Sequence, residues 1–198
     1  GRDGGCFTSK RLGNGRYEFT LRRFGFEDST GQITFAGNQQ TFDAASALIG
    51  RTMGVYVSGA TLPPGRYVAV RPEVGLEMTV NGSGVSTTDG VACTSGGNVT
   101  GNLGTILRDL GDPIPSCSTS PLSDCDTGDG FIRVRDTQLG AFDIGPGKPN
   151  RVIRFQFDVG SGVLFDASGG NCSFRSMGLL DVKMRFRQES SRAGASGS

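Results

Sequence analysis

The sequence predicts an all-β chain: an antiparallel β-sandwich of immunoglobulin-like, transthyretin-like or jelly-roll-like type, with long Gly/Ser/Pro loops and at most one short helix. Three observations carry this. Apolar and polar residues alternate through the longest patterned segments, which is how strands with one dry and one wet face read. Glycine supplies 33 of the 198 residues, a density suited to frequent turns. Helix-like composition is confined to a single stretch.

Tyr17, Phe19 and Leu21 alternate with Glu18 and Thr20 to form the first strand. Arg22-Arg23 breaks the alternation, and Phe24 and Phe26 resume it in the opposite phase, so a bulge or bend is expected at the arginines, whose charges are read as lying on the wet face. Residues 32–36 form a short strand stopped by Gly37-Asn38. Residues 41–50 are the helical stretch, with clustered alanines and Gly50 as the stop. Strands at 53–58 and 66–70 flank the Leu62-Pro63-Pro64-Gly65 turn as a hairpin. Leu76, Met78 and Val80 alternate with Glu77 and Thr79 as far as Asn81-Gly82. Residues 81–102, almost wholly Gly, Ser, Thr and Asn, read as a loop, and residues 111–130, with Pro113, Pro115, Pro121 and two cysteines, read as a second. A strand over 131–135 precedes a Gly-Pro-Gly turn at 145–147. Two strong strands follow: Ile153, Phe155, Phe157 and Val159 alternate with polar residues, and so do Leu180, Val182, Met184 and Phe186.

Residues 1–189 are read as one domain whose first 26 residues can act as an extended or strand-donating arm, and residues 190–198 as a flexible polar tail. The stretch Leu62-Pro63-Pro64-Gly65-Arg66-Tyr67-Val68 resembles the Leu-Pro-Pro-Gly-aromatic turn of transthyretin-like and Cna-B-type surface β-sandwiches. The resemblance covers under a tenth of the chain and implies a surface sandwich. It does not extend to an intramolecular isopeptide bond, because outside the amino-terminal segment only Lys148 and Lys183 supply an amine, and Lys183 falls on the outward phase of its strand.

Histidine is absent, which removes the side chain most used for proton transfer near neutral pH and makes a Cys/His zinc site impossible. A net charge of +1 offers no global field for nucleic acid, and no apolar run is long enough to span a bilayer. Cys6, Cys93, Cys117, Cys125 and Cys172 are the disulfide candidates; two bridges among five cysteines can be drawn in 15 ways, with Cys117–Cys125 closing a short loop cheaply. Such bridges imply an oxidising, extracellular or cell-surface location, with any signal peptide already removed and sequons at Asn81, Asn98 and Asn171.

Asp124, Asp126 and Asp129 crowd an acidic, glycine-containing turn and are the candidate calcium ligands, although the order of Gly128 and Asp129 departs from an EF-hand. Otherwise no cofactor is expected. No nucleophilic triad or Gly-x-Ser-x-Gly elbow is present, so no catalytic residue is assigned. The function expected is that of a non-enzymatic, pilin-like structural subunit of an extracellular filament or surface assembly. It would polymerise with copies of itself, with Tyr17, Phe19, Leu21, Phe24 and Phe26 as the assembly strand. The alternative is a secreted adhesin or carbohydrate-binding module, with Tyr56 and Tyr67 as the aromatics to stack on a glycan.

Overall fold

The computed structural model describes residues 5–7, 15–45, 56, 59–85, 90–158, 163–168, 170–177 and 181–187. In chain order these form β1 (Gly5–Phe7), β2 (Arg16–Asp28), β3 (Ile33–Ala36), β4 (Gln40–Asp43), β5 (Gly65–Gly75), β6 (Glu77–Asn81), β7 (Ser83–Val85), β8 (Ala92–Thr94) and β9 (Val99–Asn102). Helix α1 (Leu103–Asp109) follows, and then β10 (Cys125–Asp126), β11 (Phe131–Arg133), β12 (Phe142–Ile144), β13 (Ile153–Asp158), β14 (Val163–Ser168), β15 (Asn171–Met177) and β16 (Asp181–Phe186). Every ladder between the described strands is antiparallel, so the all-β expectation holds.

β2 organises the large sheet. It pairs with β4 and β3 along one edge and with β6 and β5 along the other. Its register against β5 shifts between Leu21 and Arg23, so the apolar phase changes there and Tyr17, Phe19, Leu21, Phe24 and Phe26 all reach one core. The far edge of β5 carries β11 and β12, and β9 pairs with β6. Three smaller sets complete the molecule: β1-β14-β15, β13-β16 and β7-β8.

The core lies where the apolar face of the large sheet meets these smaller ladders. Tyr17, Phe19, Phe24, Val70 and Val80 pack with Val163, Phe165, Met177 and Met184. The Phe19 and Phe157 rings are 5.0 Å apart and the Phe24 and Phe155 rings 4.7 Å apart. Full burial of one such side chain contributes about 1.5–3 kcal/mol, so these contacts dominate cohesion. The Cys93–Cys172 disulfide ties β8 to β15 at the edge of the same cluster.

Several local expectations need correction. Gln40–Asp43 is strand rather than helix, because the open edge of β2 offers a ladder, and ladder bonds outweigh alanine propensity. Asp43 fixes the turn that follows by accepting from the backbone N–H groups of Tyr17 and Ala45; residues 46–50 lie outside the described residues. The helix is instead α1, capped by Asn102, whose Oδ1 accepts from the Thr105 N–H at 3.2 Å. Residues 81–102 are not one loop, since they include the β7–β8 hairpin and β9. The strand expected over 53–58 lies outside the described residues except for Tyr56, whose ring meets that of Phe24 edge-on at 4.9 Å. The tail from 190 also lies outside them. No described helix is long and apolar enough to cross a membrane.

Gly25 permits a close approach on the other face of β2. A Cβ there would stand 2.7 Å from Ile33 Cγ2 and 2.9 Å from Arg71 Cβ. Gly25→Ala is therefore expected to cost about 1–3 kcal/mol through overpacking. The readout is a lowered denaturant midpoint at constant m-value. An unmoved midpoint would mean that Ile33 shifts aside without penalty.

Candidate functional site

The other face of β2, β5 and β11 carries charge where a second apolar layer would ordinarily stand. Past the bulge, β2 places Arg23, Gly25 and Glu27 opposite Glu73, Arg71 and Ala69 of β5, and β11 places Arg133 opposite Glu73. Glu73 is fully buried. It accepts from Arg22 Nε at 2.7 Å, from Arg23 Nε and Nη2 at 2.7 and 3.2 Å, and from Arg133 Nε and Nη2 at 3.0 and 2.8 Å. Glu27, also buried, accepts from Arg71 Nη1 at 2.8 Å and Arg135 Nη2 at 2.9 Å. Buried charge persists only when paired and hydrogen-bonded, and here both carboxylates are saturated.

Arg71 links this network to the loop above it. Its Nη2 donates to the carbonyls of Pro121 and Ser123 at 2.9 and 2.7 Å, and its Nε to the Val134 carbonyl at 3.1 Å. The Cys117–Cys125 bridge closes that loop, as its spacing suggested. The loop thus serves as a lid of main-chain acceptors over a buried cation.

Burial alone would push the Glu73 carboxyl upward, but hydrogen bonds from Arg23, Arg22 and Arg133 outweigh it and hold the group below the ordinary range. Glu27 behaves alike: burial raises it, and the bonds from Arg135 and Arg71 prevail. A general acid or base needs a proton equilibrium near the working pH. Both buried glutamates are displaced away from it.

At the solvent end of this network Arg22, Arg23, Gly37, Asn38, Gln39 and Asp129 line an open cleft of about 440 Å³. The Arg22 guanidinium lies over the Phe131 ring at 4.2 Å and the Arg23 guanidinium over the Phe35 ring at 3.7 Å. Arg22 Nη1 also donates to Asp129 Oδ2 at 2.5 Å. The two arginines expected on the wet face are therefore half-buried and committed on one side to Glu73.

The three candidate calcium ligands, Asp124, Asp126 and Asp129, each engage a partner of their own. Asp124 Oδ1 accepts from the Arg135 N–H, Asp126 Oδ1 from the Gly128 N–H, and Asp129 from Arg22 and Thr127, so the carboxylates are spent on separate partners. No group of three potential ligands converges among the described residues. The glycan-stacking expectation is corrected: Tyr67 is buried, with its hydroxyl donating to the Pro63 carbonyl at 2.7 Å, and Tyr56 packs among Phe24 and Phe42.

Tyr17, Phe19, Leu21, Phe24 and Phe26 sit in a strand paired along both edges, with their side chains in the chain's own core, so in this fold they offer no edge to a second molecule. Among the described residues an edge without a partner lies elsewhere. β13 pairs only with β16, and the Arg187 N–H to Val152 carbonyl bond sets the phase, turning the peptide groups of Ile153, Phe155 and Phe157 away from β16. Among the described residues those groups have no ladder partner. The far edge of β16 is occupied: Gln138 Nε2 donates to the Val182 carbonyl at 2.9 Å, and Gln138 Oε1 accepts from the Met184 N–H at 3.1 Å.

Of the five cysteines, Cys93–Cys172 and Cys117–Cys125 are bridged, and Cys6 lies in β1. No family model, curated protein or solved structure matches the chain. The buried Glu73, Glu27 and Arg71 escaped sequence reading, which ended the strand at Val70. Its signal was available: carrying the alternation on places Arg71 and Glu73 on one face, facing the alternating Arg23, Glu27, Arg133 and Arg135.

Proposed function

We propose that the chain is a non-enzymatic structural subunit of an extracellular filament or cell-surface assembly, joined to its own copies through β-edge contacts. The observation that carries the reading is the edge of β13 that has no ladder partner among the described residues, where the peptide groups of Ile153, Phe155 and Phe157 form a template for strand addition. Arg154 stands directly opposite Arg185 in the β13–β16 register, an unfavourable like-charge pair that an incoming strand bearing a carboxylate would relieve. Two disulfides favour an oxidising compartment, and the saturation of both buried glutamates favours cohesion over proton transfer.

Light scattering on size-separated protein over a range of concentrations, followed by negative-stain microscopy, tests the reading. The mass is expected to rise above that of one chain, with regular particles in the micrographs. A constant monomer mass with featureless grids overturns it.

A further inference from the structure

We infer that the cleft between Arg22, Arg23, Asn38 and Gln39 is a binding site for a hydroxylated carboxylate, the chemistry of a uronic acid. This inference is independent of the assembly reading. Three guanidinium groups, those of Arg22, Arg23 and Arg133, converge on the single carboxylate of Glu73, and Asp129 adds one more negative charge. One positive charge is left over.

The donor count shows where the surplus is presented. Each guanidinium has N–H groups on three nitrogens. Arg22 commits Nε and Nη1, and Arg23 commits Nε and Nη2. Arg22 Nη2 and Arg23 Nη1 have no acceptor among the described residues, although both side chains line the cleft at 22% and 37% exposure. Stacking on Phe131 and Phe35 covers one face of each group and orients its plane, so the uncommitted N–H groups are offered along the guanidinium edge, and the ordering cost of those side chains is already met. A planar, edge-on donor array matches a carboxylate.

The remaining walls narrow the class. Asn38 and Gln39 supply neutral amides suited to hydroxyl groups, and none of the described residues lining the cleft has an apolar side chain, so they give a greasy acid nothing to pack against. Asp129 on the rim repels a second negative charge, which favours a monoanion over a phosphate monoester. The opposite wall is constrained: Gly37 has φ +95°, and a Cβ there would collide with the Tyr56 ring, so the turn carrying Asn38 is held in place.

Titration of the protein with galacturonate, acetate and galactose, followed by NMR of the guanidinium and amide signals, tests the site. Galacturonate is expected to shift the Arg22, Arg23 and Asn38 signals, acetate to do so more weakly, and galactose not at all. Asp129→Asn removes the internal competitor for Arg22 from a 59% exposed position and is expected to tighten galacturonate binding about two- to fivefold. Arg23→Gln is expected to abolish it. Equal response to galacturonate and galactose, or unchanged affinity in Asp129→Asn, overturns the site; equal response to acetate and galacturonate overturns the saccharide class.

Discussion

Glu73→Gln is expected to lower the unfolding free energy at neutral pH by about 3–5 kcal/mol and the thermal midpoint by on the order of 10 °C. The substitution keeps the shape and removes the charge on which Arg22, Arg23 and Arg133 converge. Arg22 and Arg23 can turn toward solvent, so most of the cost falls on Arg133, whose side chain is the least accessible of the three. The effect depends on pH with a definite sign. The folded-state carboxyl lies below its unfolded value, so its contribution is complete above an unfolded value of about 4.3 and is lost as pH falls through the lower folded value. Denaturant titrations at neutral and acid pH check this: native and variant proteins should differ most at pH 7 and converge in acid. Equal stability at pH 7 would show that the pairing only offsets the desolvation of the carboxylate.

Removing the Cys93–Cys172 bridge by a double change to alanine is expected to cost more than removing Cys117–Cys125. The first bridge spans a sequence separation of 79 and the second a separation of 8. Loop-closure entropy of the unfolded chain then gives about 4–5 kcal/mol against about 2.5 kcal/mol. The first also joins β8 to β15, which share no backbone ladder, so few local bonds replace it. The second sits under a loop that Arg71 already grips through two carbonyls. Thermal unfolding of the two double variants gives the order. A larger loss from the short bridge would show that the Arg71 contacts depend on it.

The strands with one wet and one dry face were the legible part of this fold. β2, β6, β13 and β16 follow directly from alternation, β3 is the short strand read before the Gly37-Asn38 stop, and the bulge of β2 follows from its phase shift at Arg22-Arg23. What could not be read was decided by partners distant in sequence. Gln40–Asp43 becomes strand because the edge of β2 is free to receive it. The β14–β15 hairpin escaped notice although Gly170, at φ +83°, marks its turn. Helix α1 was missed because glycine and threonine obscure the Leu103, Ile106, Leu107 and Leu110 spacing behind the Asn102 cap. The charged cluster failed for a different reason. Arg71, Pro72 and Glu73 look like turn punctuation by composition, and only the ladder between β2 and β5 shows that each charge meets its opposite across the sheet. The acidic turn at Asp124, Asp126 and Asp129 shows the converse, since neighbouring in sequence did not bring the three oxygens together.

Gln138 closes one flank of the β13–β16 ribbon. Its amide presents one donor and one acceptor to Val182 and Met184, reproducing the two bonds that a neighbouring peptide would make. Among the described residues the β13–β16 ribbon therefore has one flank filled by Gln138 and one without a partner. A ribbon receptive on both flanks would stack copies without end, whereas this one would be saturated by a single arrival. Growth beyond a pair through this ribbon would require a different surface for the next contact, so a chain of such units would alternate between two kinds of junction.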